Sequence, residues 1–263
     1  MLVTTTSDPY NHTEQRAIRL AEELHLEFVA RSGRSLTKLL KSAGKTAVLV
    51  IGNEEIRYYP VEGTVHFFHP SMAMVRIKRL LAGQQDAMLK IACVKDGDQI
   101  LDCTMGLASD TIVFAYAVGD HGKVTAIESE LIPFVLAREG LSTYSSDLPQ
   151  LNSAMRRIRT IQAEHLNYLR QLPDHSVDIV YFDPMFRRSA SGNAIEPLRV
   201  IANHGALSKE AIDQAKRVAR RAVVLKEHNR SGEFERLGFQ FSQQKHAKIT
   251  YGVINCGSEG DRS

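Results

Sequence analysis

Between residues 99 and 226 the sequence alternates, almost without break, between short apolar runs and segments with helical spacing. QILDCT (99–104) precedes DTIVFAYAVG (110–119), KVTAIE (123–128) precedes LIPFVLAREGL (131–141), and RTIQA (159–163) precedes HLNYLRQL (165–172). VDIVYF (177–182) and AVVLK (222–226) then flank the helical stretch SKEAIDQAKRVA (208–219). Apolar runs of this length read as strands buried on both faces. Repeated strand–helix units predict an α/β fold: a parallel sheet covered by helices, with right-handed crossovers. FQFSQQKHAKITYGVIN carries two more strand-like runs with no helix between them, which predicts an antiparallel hairpin at that end.

The first 70 residues have a different texture. Ala17, Leu20, Ala21, Leu24 and Phe28 recur at helical spacing and predict an amphipathic helix over 13–30, with a shorter helix over 36–43. AVLVIG (47–52), IRYYPV (56–61) and TVHFFH (64–69) read as strands separated by turn residues. The expected organisation is a small α+β domain over 1–70, bridging helices over 71–95, the main domain over 96–256 and a frayed tail over 257–263. His66 and His69 lie three apart in a predicted strand, so they face opposite sides and cannot share a metal.

The three cysteines form no CxxC pair, so neither a disulfide framework nor a zinc site is indicated and no metal is expected. The N-terminal residues lack the pattern of a secretory signal, and no apolar run approaches the ~20 residues of a membrane helix. The expectation is a cytoplasmic protein that does not contact membrane. Net charge is only +3, so a nucleic-acid partner is not indicated by charge alone.

In an open α/β sheet, ligands bind outside the carboxyl ends of the strands. The first strand of the main region ends in DCTMGLASD (102–110), where Gly106 lets the backbone pass close to a ligand and a helix N-terminus follows. Asp102 and Asp110 would repel a pyrophosphate, and GxGxxG is missing, so a cationic ligand fits better than a dinucleotide. The next strand ends at Glu128, about 20 residues on, where a carboxylate can accept hydrogen bonds from a ribose diol. The third ends at Glu164-His165, which either reach an adenine amine or simply cap a helix.

The fourth strand ends in FDPMF (182–186). Pro184 blocks extension of the strand, Asp183 becomes an acceptor at the pocket mouth, and Phe186 offers a ring for stacking on a planar base. An ordinary turn explains any one of these strand ends. Four in succession on one sheet edge point to a nucleoside-cofactor site with a substrate-handling acid, and the acidic glycine turn favours S-adenosylmethionine (SAM) over NAD.

These segments resemble the successive motifs of class I SAM-dependent methyltransferases, and most closely the RsmJ-like family, guanine-N2 methyltransferases of small-subunit ribosomal RNA. The resemblance rests on DCTMGLASD, the acid in AIESE, QAEHL, FDPMF and the late VVLK (223–226), and spans about residues 70–228. It implies a Rossmann-like fold with a mostly parallel seven-stranded sheet and an antiparallel last strand. It also implies SAM as methyl donor and ribosomal RNA or the small ribosomal subunit as partner. On this resemblance Asp102, Thr104, Gly106, Ser109, Asp110, Glu128, Ser129, Glu164, His165 and Asp183 surround the cofactor. Asp183, Pro184 and Phe186 handle the base. Arg187, Arg188, Lys226 and Arg230 are the expected phosphate grips, with Arg76, Lys78 and Arg79 as possible additions, whereas Arg156, Arg157 and Arg159 fall at the opposite sheet edge. The chain departs from the family in having Glu164-His165 in place of small hydroxyl residues, Arg187 in place of a proline, and EHN after Lys226. Alternatives from the residues themselves are methylation of a protein amide or small molecule, a non-catalytic SAM- or RNA-binding module, and an NAD-dependent oxidoreductase.

Overall fold

In the computed structural model, which describes residues 1–184, 206–242 and 247–257, the alternating region forms a seven-stranded sheet. Its strands are β6 (Gln99–Asp102), β7 (Lys123–Glu128), β8 (Ile158–Gln162), β9 (Val177–Phe182), β10 (Ala219–His228), β11 (Gln240–Phe241) and β12 (Ile249–Asn255). They lie in the order β11-β12-β10-β9-β6-β7-β8. Pairs from β8 through β10 are parallel, and β12 is antiparallel to both β10 and β11. This is the Rossmann-like arrangement expected, and the terminal hairpin takes the predicted sense. From β6 the chain winds outward through β7 and β8, then returns to place β9 and β10 on the other side. The β6/β9 boundary is therefore the topological switch point, where such sheets open a crevice.

The apolar strands serve two cores. In β9, Ile179 and Tyr181 enter one core while Val180 and Phe182 enter the other. Burial on both faces is the physical reason this strand reads as a continuous apolar run. One face is covered by helices Ser71–Leu81, Ala87–Ile91, Ser109–Ala117 and Leu131–Thr143, the other by His165–Gln171 and Lys209–Val218.

The N-terminal segment builds its own five-stranded sheet, in the order β2-β1-β3-β4-β5. These strands are β1 (Leu2–Thr5), β2 (Glu27–Phe28), β3 (Val48–Ile51), β4 (Ile56–Tyr59) and β5 (His66–Phe67). Two expectations change here. β1 is a buried inner strand that four residues of sequence do not announce. The helix expected over 13–30 covers only Asn11–Glu23. His25 turns left-handed (φ 53°), its N–H reaches the carbonyl of Glu22, and the Leu26 N–H reaches that of Ala21 at 2.8 Å. That Schellman closure frees Phe28 to pair beside Val3 as strand.

Helix Pro149–Arg156, with proline at its start, and the short helix Glu233–Leu237 were not anticipated. One apolar core runs between the two sheets, including Val3, Leu49 and Ile56 with Phe114, Val135 and Tyr181. Arg16 adds an ion pair to Glu139 at 2.7 Å, and Arg138 pairs with Glu23. No helix among the described residues is long and apolar enough to cross a membrane. The expected frayed tail falls, from residue 258 onward, outside the described residues.

Candidate functional site

The loop after β6 is held from both sides. The Met105 N–H donates to the Ile127 carbonyl at 2.8 Å and the Ala108 N–H to the Met105 carbonyl at 2.7 Å. Gly106 and Ala108 both adopt left-handed backbone, with φ of 53° and 63°. For Ala108 this is an uncommon state that the surrounding bonds must hold in place. Ala108 precedes helix Ser109–Ala117 and gives it no side-chain cap, so the helix N-terminus keeps its donors.

Glu128 organises the same loop. Its carboxylate accepts the Gly106 N–H at 2.9 Å and the Glu130 N–H at 2.9 Å. The Ser129 N–H acts on it as well, and a carboxylate's roughly four acceptor positions leave capacity for a hydroxyl donor. Burial raises the Glu128 pKa against those N–H bonds. Ser129 follows, its hydroxyl 3.3 Å from the Glu130 carboxylate. A Cβ on Gly106 would meet no heavy atom of the described residues within 4 Å, so among them the tight turn faces open space.

Asp102 is buried at the end of β6. It accepts the Thr104 N–H at 3.0 Å and the Thr111 hydroxyl at 2.6 Å, yet burial pushes its pKa up to about 7. Thr104 spans the switch point, since its hydroxyl oxygen accepts the Asp183 N–H at 2.5 Å.

The centre of the site is an ionic chain. The Lys226 ammonium donates to Asp183 Oδ2 at 2.7 Å and to Asp110 Oδ2 at 2.8 Å. Asp110 Oδ2 also accepts the Tyr181 hydroxyl at 2.7 Å, and Asp110 Oδ1 accepts from the Arg76 guanidinium. Arg76 is gripped in turn by Asp86 at 2.7 and 2.8 Å. These environments drive the two carboxylates apart. Burial alone would raise Asp110, but Lys226 and Arg76 hold it well below the usual carboxylate range. Asp183 moves upward, through burial and the neighbouring Asp110 charge, although Lys226 opposes this. Lys226 is held above the ordinary lysine range, because Asp183 and Asp110 outweigh its burial.

The expected site residues thus divide. Asp102, Thr104, Asp183 and Asp110 are linked across the switch point through Lys226, Gly106 and Glu128 form a separate bonded pair on the same loop, and Pro184 follows Asp183 directly. Glu164 caps helix His165–Gln171, accepting from the N–H groups of Leu166 and Asn167, which is the simpler of the two roles considered for it. His165 packs edge-on against Phe182, and burial lowers its pKa. Lys226 and Arg76, expected as phosphate grips, are instead neutralised inside the protein, with side chains 21% and 15% exposed. Lys78, Arg79 and Arg230 are exposed. Arg156 and Arg157 lie beside the amino end of β8 and bond to backbone carbonyls of Leu141, Tyr144 and Ala115, at the edge opposite the site. Phe186, Arg187 and Arg188 lie outside the described residues.

Tyr181, Thr111 and Glu227 were missed. The signal for Tyr181 was a tyrosine inside an apolar strand, whose hydroxyl needs a partner when buried. Glu227 is buried where β10 runs beyond Leu225, the residue paired with Phe182. It accepts the His228 N–H at 2.6 Å, and burial, helped by Glu233 and Asp183, pushes its pKa up to about 7.

A family model described as "Putative SAM-dependent methyltransferase" matches residues 37–248. The uncharacterised protein YpiP of Bacillus subtilis (strain 168) is 42% identical over 254 residues, covering 96% of this chain and 98% of that protein. The ribosomal RNA small subunit methyltransferase J of Acinetobacter baylyi is 35% identical over 114 residues, which is 42% of this chain and 40% of that relative. A crystal structure of a SAM-dependent methyltransferase from Neisseria gonorrhoeae shares the fold, with TM-score 0.61 and 17% identity over 97% of this chain and 96% of that one.

Proposed function

The chain belongs to the SAM-dependent methyltransferase family and carries RsmJ-like class I motifs, and from that premise we propose that it methylates the exocyclic N2 amine of a guanine in small-subunit ribosomal RNA. The observation that carries this reading is the location of Asp183-Pro184 at the carboxyl end of β9, tied to the β6 loop through Thr104. The partial similarity to methyltransferase J supports ribosomal RNA as the substrate class.

The site suits SAM chemically. Glu128 retains acceptor positions for ribose hydroxyls, Gly106 faces open space, and the surrounding acids favour a cation over a pyrophosphate. In this reading Asp102, Thr104, Gly106, Ser109, Asp110, Glu128 and Ser129 form the cofactor side, with Glu164 and His165 toward the adenine. When bound, SAM supplies a methyl group on a sulfonium.

The protein's own contribution is then to orient the acceptor and exclude water. The lone pair of a guanine amine is delocalised into the ring, which makes it a weak nucleophile. Two acceptors on its N–H groups, Asp183 Oδ1 and the Pro184 carbonyl, turn that lone pair toward the methyl. As the new C–N bond formed, the methyl–sulfur bond of the sulfonium would break to leave a neutral thioether, and one N–H proton would pass to Asp183 or to water, a step that the raised Asp183 pKa suits. The base must be unpaired or flipped to reach this position.

The test uses purified protein, labelled SAM and ribosomal RNA from a strain lacking the gene. Wild type is expected to label the RNA. Asp183→Ala is expected to lose at least ~100-fold in rate while calorimetry still shows SAM binding. Wild-type rate in the variant would remove Asp183 from the mechanism.

A further inference from the structure

We propose that Lys226 is a positioning residue for the acceptor carboxylate: its ammonium, anchored on Asp110, occupies Oδ2 of Asp183 and leaves Oδ1 for the substrate amine. The inference deepens the methyl-transfer reading above and rests on it for the identity of the substrate.

A lone lysine on a strand beside an RNA site reads as a phosphate contact, and the geometry argues against that here. Both carboxylates lie within 2.8 Å of the Lys226 ammonium, and Asp110 is itself clamped by Arg76 and Tyr181. Withdrawing Lys226 toward a phosphate would strip the Asp183 carboxylate of its cation and leave Asp110 with Arg76 and Tyr181 alone. Asp183 is meanwhile fixed at two points, its N–H on Thr104 and its Oδ2 on Lys226. Among the described residues, the donor that reaches the Asp183 carboxylate is Lys226, and it does so at Oδ2.

The chain also explains why the anchor sits so deep. Arg76 belongs to helix Ser71–Leu81, before the strand–helix units begin, and Asp86 caps helix Ala87–Ile91 while holding Arg76. The bridging helices are thereby wired to the acceptor acid through Arg76, Asp110 and Lys226.

The charged and titratable groups that act on Asp183 come from several elements. Lys226 and Glu227 lie on β10, Tyr251 on β12 and Tyr181 on β9. Asp102 ends β6, Asp110 starts its helix, and Arg76 stands behind Asp110. Of these, Lys226 is the cation in direct contact with Asp183. Its removal should therefore make Asp183 harder to ionise, a change that lost packing alone would not produce.

The experiment compares wild type, Lys226→Met and Lys226→Arg. Carbon-13 NMR follows the side-chain carboxyl of Asp183, assigned with Asp183→Asn. Lys226→Met is expected to move the Asp183 midpoint up by at least ~1 pH unit. The acid limb of the kcat profile should move with it, and SAM affinity should stay within ~3-fold of wild type. Lys226→Arg, which keeps the charge, should hold the midpoint near wild type. Should Lys226→Met not fold, Asp110→Asn gives the second reading: with the competing carboxylate neutral, the midpoint must fall. An unmoved midpoint in either neutral variant, or a uniform loss of kcat without a pH shift, overturns the proposal. The NMR arm needs no substrate. A shifted midpoint in a protein that labels no RNA would refute the function reading and leave this inference standing.

Discussion

Asp110 and Asp183 share one lysine but not one environment, and that difference assigns their roles. Asp110 faces Lys226, Arg76 and the Tyr181 hydroxyl, so it stays ionised and serves as structural anchor. Among the described residues Asp183 has Lys226 alone as a cation in contact, and burial with the neighbouring Asp110 charge moves it upward, so it is the one suited to exchange a proton. Glu227 allows an independent check on these electrostatics. Its folded pKa of about 7 lies above the ~4.3 of an unfolded chain, so the native state binds the extra proton between those values. Stability is therefore undiminished below ~pH 4 and falls as pH rises through 7. Glu227→Gln should raise the thermal midpoint by a few degrees at pH 8 and leave it unchanged at pH 4, as scanning calorimetry at several pH values can show. An equal effect at both values would contradict the assigned environment.

The strands of the larger sheet and most of the helices between them were legible because a buried strand there is an apolar run followed by a helical period, although Pro149–Arg156 and Glu233–Leu237 escaped that pattern. The short strands were not. Leu2–Thr5 and Glu27–Phe28 exist because they pair with each other, and Leu2–Thr5 also with β3; nothing within two to four residues reports a partner elsewhere in the chain. The contact between the two sheets was equally hidden. Gly140, inside helix Leu131–Thr143, lies against Phe68, and an added Cβ would come within 2.5 Å of three Phe68 atoms, including its Cβ and Cγ. Helix propensity alone favours alanine there by about 1 kcal/mol. Overpacking against Phe68 should reverse that sign, so Gly140→Ala is expected to destabilise by about 1–3 kcal/mol in urea unfolding. A stabilised variant would mean that this interface is looser than the geometry indicates.

For the whole molecule, a net charge of +3 supplies little long-range attraction, so the proposed RNA binding would have to come from local contacts. The site acids were legible because they stand at strand ends on one edge, whereas the fate of the cations was not. Lys226 and Arg76 read as surface charges until the fold brings Asp110 between them. Arg230 remains exposed in the turn after β10, at the carboxyl edge of the sheet. Arg230→Gln should weaken RNA binding similarly across sequences and reduce the salt dependence by about one ion, without changing SAM affinity. An unchanged salt slope would remove Arg230 from the interface.

The most direct test of the central claim is nucleoside mass spectrometry of ribosomal RNA from a strain lacking this gene, complemented with wild type or Asp183→Ala. The account expects one N2-methylguanosine to vanish on deletion, to return with wild type, and to stay absent with the variant. A nucleoside profile unchanged by deletion, or restored equally by Asp183→Ala, would contradict it.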